Sequence, residues 1–400
     1  MLGEGDGTMS ILMRRGLNQH PEFTTEKNGY QLPFPKDMAE AWSEFDIACM
    51  NRAIELAERG RGQVSPNPPV GCVLVQDGKI IAEGWHDHYG DLHAEQAAIA
   101  DAESRGVSTE GCTAYVTLEP CNHFGLTPPC TQALLWAGAS EVIVASRDPN
   151  PMVRGEGMNV LVESGIAVRE GLLESEAKLQ MQPFMHWCNH RRPLVTMKAA
   201  IDTNGCIDGK TPGRFTSDES LDAAHRLRRH CDAIVVGVNT IVRDNPQLDI
   251  RRVPLGQSQQ PLRIVLDRNL RTPSDANVLT DEGETILVHS TSNEIGVALP
   301  EGKDGADLGA LLDHLGDRGI QELLVEGGAD VWGRFLDEKL VDRAIIIRSN
   351  VELEGGPKSG LEGNRLNDAG LAVIETTRWG DDVVTFWSRP NFEWPSEEWP

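Results

Sequence analysis

Four hundred residues are too many for one ordinary domain and suit two or three. The chain carries 37 basic against 61 acidic residues, a net charge of −24. That balance repels phosphate polymers and disfavours an extended nucleic-acid surface, while a few local cations still suffice for a small phosphorylated substrate. Eight cysteines in this length make no disulfide scaffold, and their placement points to metal chemistry in a reducing compartment. The N-terminus lacks the apolar stretch of a signal peptide, and no run of about 18 apolar residues is long enough for a membrane span. The chain therefore reads as cytoplasmic.

Residues 1–41, rich in Gly, Pro and charge without a sustained period, read as a flexible extension. From 43 to 59 the apolar residues Ile47, Met50, Ala53, Ile54 and Ala57 recur at helical spacing and predict a helix. Residues 60–69, with three prolines and Asn67, read as a loop. The runs 70–76 and 79–83, joined at Asp77-Gly78, predict a β-hairpin. His93 opens a helix that ends near Gly106. Residues 114–118 read as a strand, 131–138 as a helix and 141–145 as a strand. This alternation predicts a three-layer α/β/α domain. It should end near Met185, where His186, His190, Arg191, Arg192 and Pro193 suggest a connection. A second α/β series follows, with strands at 194–199, 233–238, 263–267, 285–289, 322–326 and 343–348 and helices at 217–229 and 330–336. Residues 252–261 and 301–307 read as surface connections. The boundaries are thus 42–187 for the first domain, 188–389 for the second and 390–400 for a tail.

The chemistry concentrates in His93-Ala94-Glu95, Glu119-Pro120-Cys121 and Cys130, the last preceded by Pro128-Pro129. A hydrolytic zinc site needs three protein ligands and an open position for water, whose pKa the metal lowers toward about 7. His93, Cys121 and Cys130 supply three ligands. Glu95, two residues past His93 at the expected helix start, can lie beside the metal without ligating it and shuttle protons. A non-ligand Glu in His-x-Glu followed by Pro-Cys resembles the zinc base deaminases, although their cysteines stand closer together than the two here. Cys130 opens a helix, whose macrodipole favours its thiolate. Cys49, Cys72, Cys112, Cys188, Cys206 and Cys231 lack such company and are assigned to packing.

A wider set of motifs resembles one family. It comprises Pro66-Asn67-Pro68-Pro69-Val70-Gly71-Cys72, Gly84-Trp85-His86, His93-Ala94-Glu95, Thr117-Leu118-Glu119-Pro120-Cys121-Asn122-His123 through Thr127-Pro128-Pro129-Cys130, and Asp148-Pro149-Asn150-Pro151. From about Glu44 to Ser388 the chain is similar to the bifunctional riboflavin-biosynthesis deaminase–reductases. The resemblance implies a cytidine-deaminase-like three-layer α/β/α domain followed by a dihydrofolate-reductase-like α/β domain. It implies that His93, Cys121 and Cys130 hold Zn2+ and that Glu95 is the proton shuttle. Asn67, His86 and His123 then contact a small phosphorylated pyrimidine, 2,5-diamino-6-ribosylamino-4(3H)-pyrimidinone 5′-phosphate, which loses its 2-amino group. Amide and imidazole groups suit such a heteroaromatic base. Two departures stand out: Pro69 replaces a common second Asn, and Leu126 replaces a usual Arg or Lys before Thr-Pro-Pro.

In the second half, a strand ending at Glu326, then Gly327-Gly328, then a helix can cradle a dinucleotide phosphate on free backbone N–H groups. A plain β-to-α turn accounts for the two glycines equally well. A second corner, Gly237-Val238-Asn239-Thr240, precedes Arg243-Asp244-Asn245-Pro246-Gln247-Leu248. These pieces, with the strand Met197-Lys198-Ala199-Ala200, resemble the family's reductase. The resemblance implies NADPH as cofactor, touched by Ala200, Thr240, Asp244 and the turn Gly328, Ala329, Asp330, Val331, Trp332, Gly333 and Arg334. It implies substrate contacts from Arg228, Leu248, Arg251 and Glu326, the arginines suiting a phosphate. Departures are heavier here, at Asp202-Thr203-Asn204-Gly205, Arg214-Phe215-Thr216-Ser217 and Ser349-Asn350-Val351-Glu352. The expected enzyme deaminates and then reduces the ribosyl side chain to ribityl, with no nucleic-acid or membrane partner. A homo-oligomer through the reductase domain stays open. The alternatives are a deaminase with a non-catalytic reductase-like domain and, disfavoured by the acidic balance, a nucleic-acid base deaminase.

Overall fold

Helix α1 (Glu44–Glu58) begins where Ser43 caps it: Ser43 Oγ accepts from the Asp46 N–H at 3.0 Å, and the Asp46 carboxylate accepts from the Ser43 N–H at 3.0 Å. Its buried stripe is Cys49, Met50, Ala53, Leu56 and Ala57. Ile47, expected on that face, is 37% exposed, because Cys49 and Leu56 rotate the stripe away from it. The computed structural model describes residues 42–150, 156–210, 213–255, 259–290, 295–390, 392 and 394. The extension expected over 1–41 lies outside them.

Strands β1 (Gly71–Gln76) and β2 (Lys79–Trp85) form the expected hairpin. Asp77 and Gly78 have φ of 50° and 70°, the paired left-handed conformation of a two-residue hairpin turn. There follow α2 (Ala94–Ser104), β3 (Thr113–Leu118), α3 (Cys130–Trp136), β4 (Glu141–Ser146), α4 (Glu156–Glu163), β5 (Ala167–Glu170), α5 (Glu174–Gln180) and α6 (Gln182–His190). The sheet order is β2-β1-β3-β4-β5, with β3, β4 and β5 parallel. On one face Met50 of α1 and Ala177 of α5 pack with Val73, Tyr115 and Ile143. On the other, Ala98 of α2, Leu134 of α3 and Leu161 of α4 pack with Leu74 and Val116. This is the three-layer α/β/α arrangement. The stretch read as a polar connection is helix α6, which has a proline in its first turn, where a missing N–H is harmless.

The second half contains β6 (Leu194–Ile201), α7 (Asp218–His230), β7 (Ala233–Gly237), α8 (Val238–Asp244), β8 (Leu262–Leu266), α9 (Asn277–Thr280), β9 (Thr285–His289), β10 (Val297–Ala298), β11 (Glu301–Gly302), β12 (Gly305–Ala306), α10 (Leu308–Asp317), β13 (Glu322–Val325), α11 (Ala329–Asp337), β14 (Arg343–Arg348), α12 (Arg365–Asp368), β15 (Ala372–Trp379) and β16 (Asp382–Ser388). Nine strands form one sheet in the order β10-β9-β8-β7-β13-β6-β14-β16-β15. The central strands are parallel and apolar on both faces, because helices cover both sides. Leu311, Val331 and Phe335 of α10 and α11 cover one face, and Leu227 and Ile241 of α7 and α8 the other. Part of the surface connection expected over 301–307 is the small β11–β12 hairpin.

The first half docks on the ends of β6, β13 and β14 where these strands begin. Trp187 Nε1 donates to the Gly316 carbonyl at 2.8 Å, and Gln321 Nε2 donates to the Pro66 carbonyl at 2.7 Å. Beneath this junction Arg343 is fully buried, paired with Glu322 at 2.5 Å and stacked on Trp394 of the tail at 4.9 Å.

Candidate functional site

The first site begins with a glycine. A Cβ on Gly84 of β2 would stand 2.2 Å from Ala98 N and 2.5 Å from the Ala94 carbonyl, so only glycine lets α2 lie this close to the sheet. Helix α2 thereby brings its N-terminus, His93, to the loops that follow β3. His93 Nδ1 lies 3.5 Å from Cys121 Sγ and 3.4 Å from Cys130 Sγ. These are the edges of a coordination tetrahedron: Zn–N near 2.0–2.1 Å and Zn–S near 2.3 Å require an N···S edge of about 3.6 Å. The three side chains could therefore hold a zinc ion. Cys130 is the first residue of α3, and its N–H donates to Cys121 Sγ at 3.4 Å. The Cys121 thiol is pulled down to about 4, first by hydrogen bonding from Cys130 and then by His93.

Glu95 is 3% exposed beside the three ligands. Burial, then the nearby Cys121, pushes its carboxyl above the ordinary range, as a group that must hold and release a proton requires. His86 packs edge-on against the His93 ring, with centroids 5.2 Å apart. Its Nδ1 donates to the Leu92 carbonyl at 2.9 Å, and burial lowers its pKa. The neutral ring then accepts at Nε2 from the Asn67 amide at 3.1 Å, which leaves the Asn67 oxygen for another partner. His123 is exposed on the loop between Cys121 and Cys130, the same loop that carries Leu126, which is 75% exposed. Sequence reasoning missed Gln96. Its Oε1 accepts from the His93 N–H at 3.2 Å, and its Nε2 donates to the Pro128 carbonyl at 2.9 Å. It ties the helix that carries one ligand to the loop that carries another. Its position three residues after the helix cap was the available signal.

The second site is a cavity of about 590 Å³ where β6, β7, β8 and β13 end. Ala200, Thr240, Asp244, Glu326, Gly328, Ala329, Asp330, Val331, Trp332 and Arg334 line it, while Gly333, Arg228, Leu248 and Arg251 do not. Arg228 stands behind Glu326 and grips its carboxylate at 2.8 and 2.7 Å. Leu248 is buried in the apolar layer below, and Arg251 is paired with Asp249. Helix α11 starts at Gly328 without a side-chain cap, so its first N–H groups remain for an anion. Trp332 carries a buried indole N–H with no partner among the described residues. Such a cleft suits a dinucleotide. Lys198 also lines it; burial lowers its pKa, and Glu326 faces it. A lysine inside the apolar strand 194–201 was the signal for it. The divergent turn at 202–205 is well built: Asp202 Oδ1 accepts from the Asn204 and Cys206 N–H groups at 2.8 and 2.7 Å.

Fold and site together define a zinc-type base deaminase joined to a nicotinamide-dependent reductase. Residues 43–146 match the cytidine and deoxycytidylate deaminase zinc-binding region, and residues 193–382 match the RibD C-terminal domain. The chain is 38% identical over 364 residues to the riboflavin biosynthesis protein RibD of Aquifex aeolicus, covering 86% of this chain and 99% of that protein. It is 35% identical over 316 residues to RibD of Escherichia coli, covering 74% and 85%. Among solved structures, a deaminase/reductase from Thermotoga maritima is 33% identical with a TM-score of 0.76, over 86% of this chain and 99% of that one. Acinetobacter baumannii RibD is 31% identical with a TM-score of 0.77, over 86% and 98%. The chain belongs to the RibD family of riboflavin-biosynthesis enzymes. It is a bifunctional deaminase and reductase that uses Zn2+ and NADPH, so the alternative of a non-catalytic second domain falls. Among the described residues no helix is long and apolar enough to cross a membrane.

Proposed function

We propose that the first half, residues 42–187, removes the 2-amino group of 2,5-diamino-6-ribosylamino-4(3H)-pyrimidinone 5′-phosphate. The second half, residues 188–389, then reduces the product's ribosyl chain to ribityl. The Thermotoga relative bears the name of a diaminohydroxyphosphoribosylaminopyrimidine deaminase and 5-amino-6-(5-phosphoribosylamino)uracil reductase, which supports this pair of substrates. His93, Cys121 and Cys130 hold the metal. Bound there, zinc lowers the pKa of water toward about 7 and so supplies a nucleophile at neutral pH. With the metal in place, Glu95 would hold the nucleophile's proton on its carboxylate and pass it to the departing amine, a task matched to its buried, raised carboxyl. The Asn67 oxygen and the ring of His86 orient the base, and His123 meets it from the loop between Cys121 and Cys130.

At the second site Ala200, Thr240, Asp244 and the turn from Gly328 to Arg334 bind NADPH, which supplies the hydride. Glu326, held ionised by Arg228, and Lys198 face the sugar. Arg251 and Leu248, expected on the substrate side, stand off the cavity and take no part in this reading. The whole reading describes a cytoplasmic enzyme of small molecules. It rests on one observation: three ligand atoms spaced as tetrahedron edges next to a buried glutamate.

Mass spectrometry of the full chain incubated with the diaminopyrimidinone phosphate, with and without NADPH, tests it. Loss of the amino group without NADPH and a further gain of two hydrogens with it are expected. A Glu95→Gln protein that retains zinc should lose the first change only; full deamination by that variant would overturn the assignment.

A further inference from the structure

The loop that carries Asn67 is held from both sides. Toward the deaminase site, the Asn67 N–H donates to the Val64 carbonyl at 2.8 Å, the Tyr89 N–H donates to the Gln63 carbonyl at 3.0 Å, and Asn67 Nδ2 reaches His86. Its other side lies on the reductase half. Gln321 Nε2 donates to the Pro66 carbonyl at 2.7 Å, across 255 positions of sequence. Gly62, at φ 74°, brings its Cα so close to α7 that a Cβ would stand 1.9 Å from the Arg229 carbonyl. The Ser65 hydroxyl bonds Asp232, whose carboxylate also accepts from the Gln321 and Glu322 N–H groups at 2.7 and 3.0 Å.

We infer that Gln321, a residue of the reductase half, positions the Asn67 loop of the deaminase half for its substrate. Gln321 is only 4% exposed, so little solvent competes for the amide N–H that donates to Pro66. The peptide it grips is the one that ends in Asn67, so a loosened Pro66 carbonyl lets the Asn67 backbone turn. Asn67 reaches His86 and the space before His93 only while that peptide is fixed. The reductase cavity opens at the other end of β13, about 13 Å away over four strand residues. Gln321 can therefore act on deamination without touching reduction. It is a positioning residue, and its role rests on the proposal that Asn67 meets the substrate.

The experiment compares the full-length parent with Gln321→Met, Asn67→Ala and the double variant. Methionine keeps length and volume but cannot donate. Deamination is read as ammonia release without NADPH, and reduction as NADPH oxidation on the deaminated substrate supplied directly. Zinc content and melting temperature are recorded for each. Losing one hydrogen bond should raise the deaminase KM of Gln321→Met about five-fold with little change in kcat. Zinc content and reductase kinetics should stay at parental values. The double variant should be no worse than Asn67→Ala, because Gln321 acts through Asn67. A Gln321→Met protein with parental deaminase KM, beside an Asn67→Ala protein with a raised one, overturns the inference alone. Additive losses in the double variant also overturn it. An Asn67→Ala protein with parental KM overturns the substrate contact and the inference with it.

Discussion

Gly84→Ala probes how the deaminase site is built, because it adds one methyl group where helix α2 rests on β2. The new Cβ would stand 2.2 Å from Ala98 N, 2.5 Å from the Ala94 carbonyl and 2.8 Å from the Ala97 carbonyl carbon. All three are backbone atoms of the helix, so no side chain can swing aside, and the helix must retreat by about 1 Å to reach ordinary contact. His93 caps that helix and Glu95 lies in its first turn, so both move relative to Cys121, on the loop after β3, and Cys130, at the start of α3. Overpacking of this kind costs about 1–3 kcal/mol of stability. A displacement of about 1 Å at reacting groups lowers turnover about 100-fold. The assay is steady-state ammonia release, with zinc content and a melting curve on the same sample. Deaminase kcat/KM should fall about 100-fold while NADPH oxidation on the deaminated substrate is unchanged. A variant with parental deaminase kinetics and melting temperature would refute the reasoning that the close α2–β2 contact sets the ligand geometry.

Gln96→Leu removes both the acceptor of the His93 N–H and the donor to Pro128. Zinc affinity, measured by competition with a chromophoric chelator, should weaken about 10–100-fold, the usual effect of losing support behind a ligand. Chelating the zinc altogether should abolish ammonia release and leave reduction of the deaminated substrate intact; parallel loss of both activities would contradict two independent sites. Glu326 bears on stability. Burial raises its pKa, but Arg228 and then Lys198 more than offset this and hold it at about 2. Its folded-state value lies below the unfolded 4.5, so the stabilisation is present above pH 4.5 and is lost as pH falls toward 2. Denaturant titrations should show Glu326→Gln less stable than the parent by roughly 3 kcal/mol near neutrality, with the gap closing below pH 4.5. A gap independent of pH would exclude the ion pair as its source.

The sequence by itself determined the local elements and the chemical alphabet of the deaminase site. Helical spacing placed α1, Asp77-Gly78 placed the hairpin, and His93, Glu95, Cys121 and Cys130 announced a metal because those residue types sit next to element ends. Period and turn chemistry are written in neighbouring residues, so they survive without knowledge of the fold. Edge strand β15, almost wholly exposed, carried no such pattern, and the mixed polarity of 182–190 concealed helix α6. Only the tertiary structure decided which distant groups meet: Arg228 with Glu326, 98 positions away, Lys198 beside both, Gln96 between two ligand segments, and Gln321 beneath the Asn67 loop. Those pairings follow from how two sheets stack their helices and from where one half rests on the other, a three-dimensional fit that no window of sequence contains.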